Sequence, residues 1–136
     1  MAIDNNLYEK SIKILTDLIG FQTVSGTDNS ELINYCEKIL NDLDIETFKV
    51  FDDEEKRVNL FGTLKAKKNN GKKPIILSGH TDVVPVSKGW SSDPFTATIK
   101  NEKLYGRGSC DMKGFIACTL AFAPVFKESN LDRDIH

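Results

Sequence analysis

The sequence has few cysteines, no long uninterrupted apolar run and no excess of charge of either sign. Its three cysteines, Cys36, Cys110 and Cys118, are an odd number without a Cys-x-x-Cys pair, so neither a disulfide framework nor a zinc knuckle is predicted. Eighteen Lys and Arg residues against twenty Asp and Glu residues give a net charge of −2. Such a balance provides no global attraction to nucleic acid or to an anionic membrane surface.

The sequence also shows no pattern that is typical of a membrane-spanning helix or of a signal peptide. The most apolar run, residues 115–126, is interrupted by Thr119 and Pro124 and is shorter than the roughly 20 residues that a span needs. The first residues, Met-Ala-Ile-Asp-Asn-Asn, have neither the basic nor the apolar region of a signal peptide. The sequence therefore predicts a cytoplasmic protein without membrane contact.

What the chain does contain is typical of a soluble globular domain. Of its 136 residues, 40% are hydrophobic and 28% are charged, which matches one ordinary domain in length and composition. Apolar spacing predicts helices over residues 5–19 and 30–43, and the stripe of the second helix makes Cys36 a core residue. Strands are predicted over residues 45–51, 59–65, 96–100 and 103–105. A last helix begins near Met112 or Lys113, and Pro124 is expected to kink or restart it.

Two further segments complete an α/β interpretation. The run Pro74-Ile-Ile-Leu-Ser-Gly-His80 does not alternate and predicts a strand buried on both faces. Asn69-Asn-Gly71, surrounded by five lysines, predicts a hairpin turn whose lysines keep the tip soluble. A nucleic-acid patch is the less favoured interpretation of those lysines. Two helices, a hairpin, a buried strand and a helix after a loop predict a layered α/β fold.

The first candidate functional residues follow the strand at 74–80. His80 lies at its carboxyl end, where ligands collect in open α/β sheets, and Asp82 is two residues further on. A carboxylate so placed can hold the second ring nitrogen of a metal-bound imidazole. The alternative is a structural histidine at the end of a strand.

The second candidate is Asp111, which lies in the glycine-rich segment 106–114 at the start of the last helix. Its carboxylate can cap that helix, or it can join the His80 imidazole in the type of ligand set that zinc accepts. The loop between the two candidates, residues 83–95, contains Trp90. That loop is either a wall or lid of a site, or simple packing on the rim of the sheet.

Five motifs occur in order along the chain: His80-Thr-Asp82-Val-Val-Pro, Gly89-Trp90, Asp93-Pro94-Phe95, Leu104-Tyr-Gly-Arg-Gly108 and Asp111-Met-Lys-Gly114. This series resembles the dizinc deacylase and carboxypeptidase family. Three other segments favour the branch that deacetylates N-acetylornithine: Phe21-Gln-Thr-Val-Ser25, Asn29-Ser-Glu-Leu-Ile33 and Ser109-Cys-Asp-Met-Lys-Gly-Phe115.

The resemblance implies a role for each matching residue. His80 would bind one zinc ion, Asp111 would bridge two, and Asp82 would hold His80 in place as a catalytic residue; the metal could also be cobalt or manganese. The Asp111–Met112 peptide bond would be cis. The reaction would be hydrolysis of the N-acyl amide of an amino acid, giving ornithine and acetate in arginine biosynthesis. The residues that bind the substrate are not identified by the motifs.

The same resemblance implies that residues 1–136 are the front part of a three-layer, zinc-peptidase-like catalytic domain with a mixed sheet flanked by helices. The family pattern continues with a Glu-Glu pair, an acidic ligand, a distant histidine and a separate dimerisation domain, through which full-length members often form homodimers. His136 precedes the Glu-Glu position and is not expected to replace a ligand.

Three expectations follow for the chain by itself. With two metal ligands and no general base, it should not hydrolyse acyl amino acids alone. A complementary C-terminal fragment is a possible partner, and a non-catalytic remnant that acts as a binding or structural piece is the alternative. An unpaired apolar sheet edge is expected beside residues 74–77, which would make the chain prone to association.

Overall fold

The computed structural model describes residues 5–54, 56–68 and 71–136, and within those ranges it has an α/β architecture. Its helices are α1 (Asn5–Gly20), α2 (Ser30–Asn41) and α3 (Gly114–Glu128), and its strands are β1 (Glu46–Phe51), β2 (Val58–Thr63), β3 (Thr98–Lys100) and β4 (Lys103–Tyr105). The helices and strands predicted from apolar spacing are therefore present. Residues 69 and 70 of the predicted turn lie outside the described residues.

The core lies between the three helices and β2. Leu18 of α1 and Leu32 of α2 are fully buried, and the apolar side of α3 packs mainly on α1. Cys36 is 5% exposed, and burial raises the pKa of its thiol to about 12. The prediction that Cys36 is a core residue is therefore confirmed.

The last helix differs from its prediction in two ways. It runs through Pro124 to Glu128 as one element, so the proline does not restart it. The segment Ser109–Glu128 also has the length and mean hydropathy of a helix that could cross a membrane, by length and composition only, which the sequence interpretation did not anticipate. In the fold, Ala117, Leu120 and Ala121 of this helix are buried in the core.

The strands form two antiparallel pairs. In the β1–β2 pair, Phe48 lies opposite Phe61, and the two rings stack with 4.7 Å between their centroids. In the β3–β4 pair, Asn101 and Glu102 adopt positive φ, as a two-residue turn between twisted strands requires. This turn joins the two strands that were predicted over residues 96–100 and 103–105.

Residues 134–136 lie between the segments that end at Leu64 and begin at Ile75, which the predicted hairpin turn would join directly. Ile135 exchanges backbone hydrogen bonds with Leu64 (2.9 and 3.0 Å), and the N–H of Ile75 donates to the carbonyl of Asp134 (2.9 Å). Ile135 thus pairs antiparallel with Leu64 and parallel with Ile75. The predicted hairpin is wrong because a segment distant in sequence separates its two arms, and the result is mixed pairing.

The prediction of a strand buried on both faces at residues 74–80 is also wrong. Ile75 is 46% exposed and Ile76 is 70% exposed, and only an isolated bridge is formed in this segment. An unalternating apolar pattern predicts cover on both faces, but Ile75 and Ile76, which are adjacent and therefore point to opposite faces of an extended segment, are both exposed.

Candidate metal centre

The two residues predicted to bind metal meet at one point of the surface. His80 follows the segment that pairs with Ile135, and Asp111 lies in the loop Ser109–Lys113 before α3. The Nε2 atom of His80 is 3.0 Å from Oδ1 of Asp111. Both side chains are accessible, with 47% of His80 and 86% of Asp111 exposed. The fold therefore brings together an imidazole and a carboxylate that are 31 positions apart in sequence.

The second ring nitrogen of His80 is held by Asp82. Nδ1 lies 3.0 Å from the backbone carbonyl oxygen of Asp82 and 3.3 Å from its carboxylate Oδ1. A proton on Nδ1 that is donated to this carbonyl leaves Nε2 with its lone pair free to bind a cation. The predicted positioning of His80 by Asp82 thus has a geometric basis, in which the main-chain oxygen is closer than the carboxylate.

Neighbouring carboxylates also affect proton binding at the site. The hydrogen bond that His80 donates to the Asp111 carboxylate, with further contributions from Asp82, raises the pKa of His80 above its ordinary value. The hydroxyl of Ser25 donates to Oδ2 of Asp82 at 2.6 Å, and this hydrogen bond lowers the pKa of the Asp82 carboxyl. Asp82 therefore stays ionised beside the imidazole.

Residues 23–29 anchor the strand end that carries His80 and Asp82. Ser25 N–H donates to the carbonyl of Val83 (2.9 Å), and Val83 N–H donates to the carbonyl of Thr23 (2.9 Å). The Thr23 hydroxyl donates to the carbonyl of Thr81 at 2.6 Å. Three successive residues at the site are thereby tied to the turn between α1 and α2.

The loop that carries Asp111 is fixed by a buried ammonium group. Lys113 has no exposed surface, and its Nζ donates to the carbonyl oxygens of Leu18 (2.8 Å) and Phe21 (2.7 Å). Burial lowers the pKa of Lys113 to about 8. The Asp111–Met112 peptide bond is cis, as the family resemblance implies.

The loop predicted as a wall or lid contacts Arg107, which lies two residues after the end of β4. The guanidinium of Arg107 lies 5.1 Å from the ring centroid of Trp90, within the range of a cation–π contact. The N–H of Arg107 donates to the carbonyl of Pro94 at 2.6 Å. These contacts agree with the packing interpretation of Trp90.

Several site-supporting residues were not singled out from the sequence. Thr23, Ser25 and Asn29 occur only within sequence motifs, and Lys113 only in the last glycine-rich motif and as a start of the last helix. Their roles depend on contacts between residues more than fifty positions apart. The one available signal was the density of hydroxyl and amide side chains in residues 23–29.

The donor atoms of His80 and Asp111 fit a metal ion as two of its ligands. Two ligands of a tetrahedral zinc, bonded at about 2.05 Å, lie roughly 3.3 Å apart, close to the 3.0 Å between Nε2 and Oδ1. Within residues 5–54, 56–68 and 71–136, no group of three or more His, Cys, Asp or Glu side chains could hold a metal ion. The described part of the chain therefore provides a partial ligand set.

Comparison with known proteins gives consistent relatives. Residues 76–136 match the family model described as peptidase family M20/M25/M40. The chain is 37% identical to a succinyl-diaminopimelate desuccinylase of Afipia carboxidovorans over 126 residues, covering 89% of this chain and 32% of the relative. It is 38% identical to an acetylornithine deacetylase of Myxococcus xanthus over 109 residues, covering 78% of this chain and 28% of the relative.

The fold comparison agrees with the sequence comparison. The crystal structure of human carnosine dipeptidase 1 superposes with a TM-score of 0.73 at 22% identity, covering 98% of this chain and 32% of that one. This likeness confirms the predicted fold class, and the chain spans about a third of the length of the curated relatives it matches.

Proposed function

Since the chain belongs, over residues 76–136, to peptidase family M20/M25/M40, we propose that it supplies part of an active site that hydrolyses the N-acyl amide of an amino acid. The observation that carries the proposal is the contact between His80 Nε2 and Asp111 Oδ1, with Nδ1 of His80 held by Asp82. In the proposal, residues 1–136 form the front portion of a metallohydrolase catalytic domain in the cytoplasm. Further ligands, the general base and any dimer contact would come from outside these residues.

Each of the three residues has a defined task in this proposal. His80 and Asp111 would hold the metal, and the second carboxylate oxygen of Asp111 accepts no hydrogen bond from the described residues, so it is available for a second ion. The backbone carbonyl of Asp82 accepts a hydrogen bond from the Nδ1–H of His80. The lone pair on Nε2 then stays free to bind the metal. Zinc or cobalt at such a site polarises the acyl carbonyl and lowers the pKa of a bound water towards neutrality.

The acyl group and the amino acid are proposed at the level of a class. The motif in residues 109–115 favours N-acetylornithine. The relatives, however, include succinyl-diaminopimelate desuccinylases as well as an acetylornithine deacetylase. We therefore propose an N-acyl diamino acid, with N-acetylornithine and N-succinyl-diaminopimelate as the two substrates to compare.

We expect His80→Ala to weaken zinc binding by the metal-free chain more than about tenfold, since loss of even an outer-shell partner costs about 10–100-fold. Titration against a chromogenic chelator measures the affinity. His136→Ala is the matched control, because the ring of His136 contacts Thr63 and should leave the affinity unchanged. Equal affinities for the two variants would contradict the assignment.

The same preparations test activity on both substrates. The 136-residue chain should hydrolyse neither at a measurable rate, since two protein ligands are fewer than the three or four of stable zinc sites. A zinc-dependent rate that disappears in His80→Ala would contradict this expectation while supporting the assignment of His80.

Proton binding at His80 gives a test that needs no metal. Because Asp111 raises the pKa of His80 above 6.5 in the folded chain, an NMR titration of the imidazole should give a midpoint above that value. In Asp111→Asn the midpoint should fall, since the neutral amide no longer favours the imidazolium. Zinc should accordingly bind more weakly as the pH falls through the His80 pKa, because the protonated ring has no free lone pair. An unchanged midpoint in the variant would contradict the contact.

A further inference from the structure

The carboxylate of Asp82 divides its two oxygen atoms between two partners. Oδ2 accepts a hydrogen bond of 2.6 Å from the hydroxyl of Ser25, and Oδ1 lies 3.3 Å from Nδ1 of His80. The side chain of Asp82 is 53% exposed, so packing contributes little to its orientation. The terminal torsion of an aspartate is broad unless a contact restricts it. The hydrogen bond from Ser25 therefore fixes which oxygen faces the imidazole.

The main chain places Ser25 beside the site whatever side chain this position carries. Val24 and Val83 form a parallel bridge. The N–H of Ser25 donates to the carbonyl of Val83 (2.9 Å), and the N–H of Val83 donates to the carbonyl of Thr23 (2.9 Å). Because none of these bonds uses the Ser25 hydroxyl, its loss should leave the turn between α1 and α2 attached to Val83.

The hydroxyl of Ser25 has one proton and two acceptors within reach. Oδ2 of Asp82 lies at 2.6 Å, and the carbonyl oxygen of Val83 lies at 3.3 Å. The shorter contact is also the one to an ionised acceptor, which forms the stronger hydrogen bond. The hydroxyl is thus bonded to the carboxylate, and the anchoring of the turn is left to the backbone.

The orientation of Asp82 affects the ring of His80 because carboxylates lie on both sides of it. Nε2 is 3.0 Å from Oδ1 of Asp111, whereas Nδ1 is close to the backbone carbonyl and Oδ1 of Asp82. A neutral imidazole carries one proton on one of its two nitrogens, and each carboxylate favours the tautomer with the proton on its own side. A metal ion binds at Nε2 only when that proton is on Nδ1.

We propose that Ser25 is a positioning residue of the candidate metal centre, which turns the Asp82 carboxylate towards Nδ1 of His80 and so favours the tautomer with Nε2 free. The assignment rests on the proposed function, since that function makes Nε2 a metal ligand. Ser25 acts through Asp82 and is not itself a ligand. This role requires a hydroxyl donor at the position, which threonine also supplies and alanine does not.

The test is the position of the ring proton of His80 in the metal-free 136-residue chain. The chemical shifts of the two ring nitrogens report it at a pH where the ring is neutral, and the signals are assigned by their loss in His80→Ala. In Ser25→Ala, the ratio of the Nδ1–H to the Nε2–H tautomer should fall about two- to tenfold, as expected for the net contribution of one hydrogen bond. Ser25→Thr should restore the parent ratio.

Thr27→Val is the matched control, because it removes a hydroxyl from the same turn. That hydroxyl donates to the carbonyl of Val24 at 2.7 Å, and the N–H of Thr27 donates to the same carbonyl (2.9 Å), so the turn should persist without it. The tautomer ratio should equal that of the parent chain. An equal fall in Thr27→Val and Ser25→Ala, or no fall in Ser25→Ala, would overturn the proposal.

A double-mutant cycle tests whether Ser25 acts through Asp82. In the Asp82→Ala background, Ser25→Ala should change the tautomer ratio by less than about twofold, because the carboxylate that it orients is no longer present. If Ser25→Ala has the same effect with and without the carboxylate, the proposed route through Asp82 is wrong.

Zinc titration of the same variants separates this inference from the proposed function. Zinc affinity should fall in Ser25→Ala by no more than the tautomer ratio falls, and it should recover in Ser25→Thr. An unchanged ratio in Ser25→Ala overturns the positioning role, while weaker zinc binding by His80→Ala still supports the proposed function. A shifted ratio with equal zinc affinities of His80→Ala and His136→Ala supports the positioning of the ring and overturns the metal assignment.

Discussion

Replacing Lys113 with methionine should lower the free energy of unfolding by about 2–4 kcal/mol. The ammonium donates to the carbonyls of Leu18 and Phe21 at the end of α1, where the helix dipole also favours a cation. Methionine has a side chain of similar length, but it leaves both carbonyl oxygens without this donor. Each buried group that loses its hydrogen bond costs about 1–3 kcal/mol of stability. Removal of the buried charge, whose desolvation lowers the pKa of Lys113 to about 8, offsets part of this loss.

The matched control is Lys127→Met, the same substitution at the end of α3. Lys127 also donates to a main-chain carbonyl, that of Leu43, and pairs with Asp44, but it is 41% exposed. Its replacement should cost less than about 1 kcal/mol. Urea unfolding at neutral pH measures both variants, and a similar loss in each would show that burial of Lys113 is not the cause.

The two variants also separate an effect on stability from an effect on the position of Asp111 in the candidate metal centre. Lys113 follows Asp111 by two residues and ties the loop Ser109–Lys113 to α1. Under conditions where both variants are folded, Lys113→Met should therefore weaken zinc binding, whereas Lys127→Met should not. Unchanged zinc affinity in Lys113→Met would limit its role to stability.

Local patterns in the sequence were sufficient for most of the elements. The apolar stripes of α1 and α2 each bury one side against the core, and periodicity reports such one-sided burial directly. The local pattern gave a wrong prediction for residues 74–80, because the pairing partners of this segment come from residues 134–136. A pairing across sixty positions leaves no trace in the local pattern of either segment.

Of the candidate site, the sequence predicted the chemically reactive residues but not the residues that hold them in place. His80, Asp82 and Asp111 belong to residue types and motifs that indicate metal chemistry, and their order carried the family resemblance. The residues that hold them in place, Ser25 and Lys113, are a surface-type hydroxyl and a lysine, which sequence patterns assign to solvent by default. Their contacts appear only when α1 and the turn after it are packed against residues 80–83 and 109–113.

Gly108→Ala should destabilise the chain by about 2–5 kcal/mol through two separable effects. Gly108 has φ +80, a left-handed conformation that costs an L-residue about 1–2 kcal/mol. A Cβ there would also lie 2.6 Å from Cγ1 of Val83, and such overpacking costs about 1–3 kcal/mol. Val83 is 3% exposed and is bonded on both sides of its backbone to residues 23–25, so it has little freedom to move away.

Gly26→Ala isolates the first effect, because Gly26 has φ +88 and no atom within 4 Å of the added Cβ. It should cost only the conformational part, about 1–2 kcal/mol. Val83→Ala isolates the second, since it removes the Cγ1 that the new methyl group would strike. In the Val83→Ala background, only the contacts of the new methyl group with the Lys113 side chain at 3.3 and 3.4 Å remain. Gly108→Ala should therefore cost close to what Gly26→Ala costs in the parent chain. If the full cost persists in that background, the steric explanation is wrong, and the loss must come from the backbone of the loop that carries Asp111.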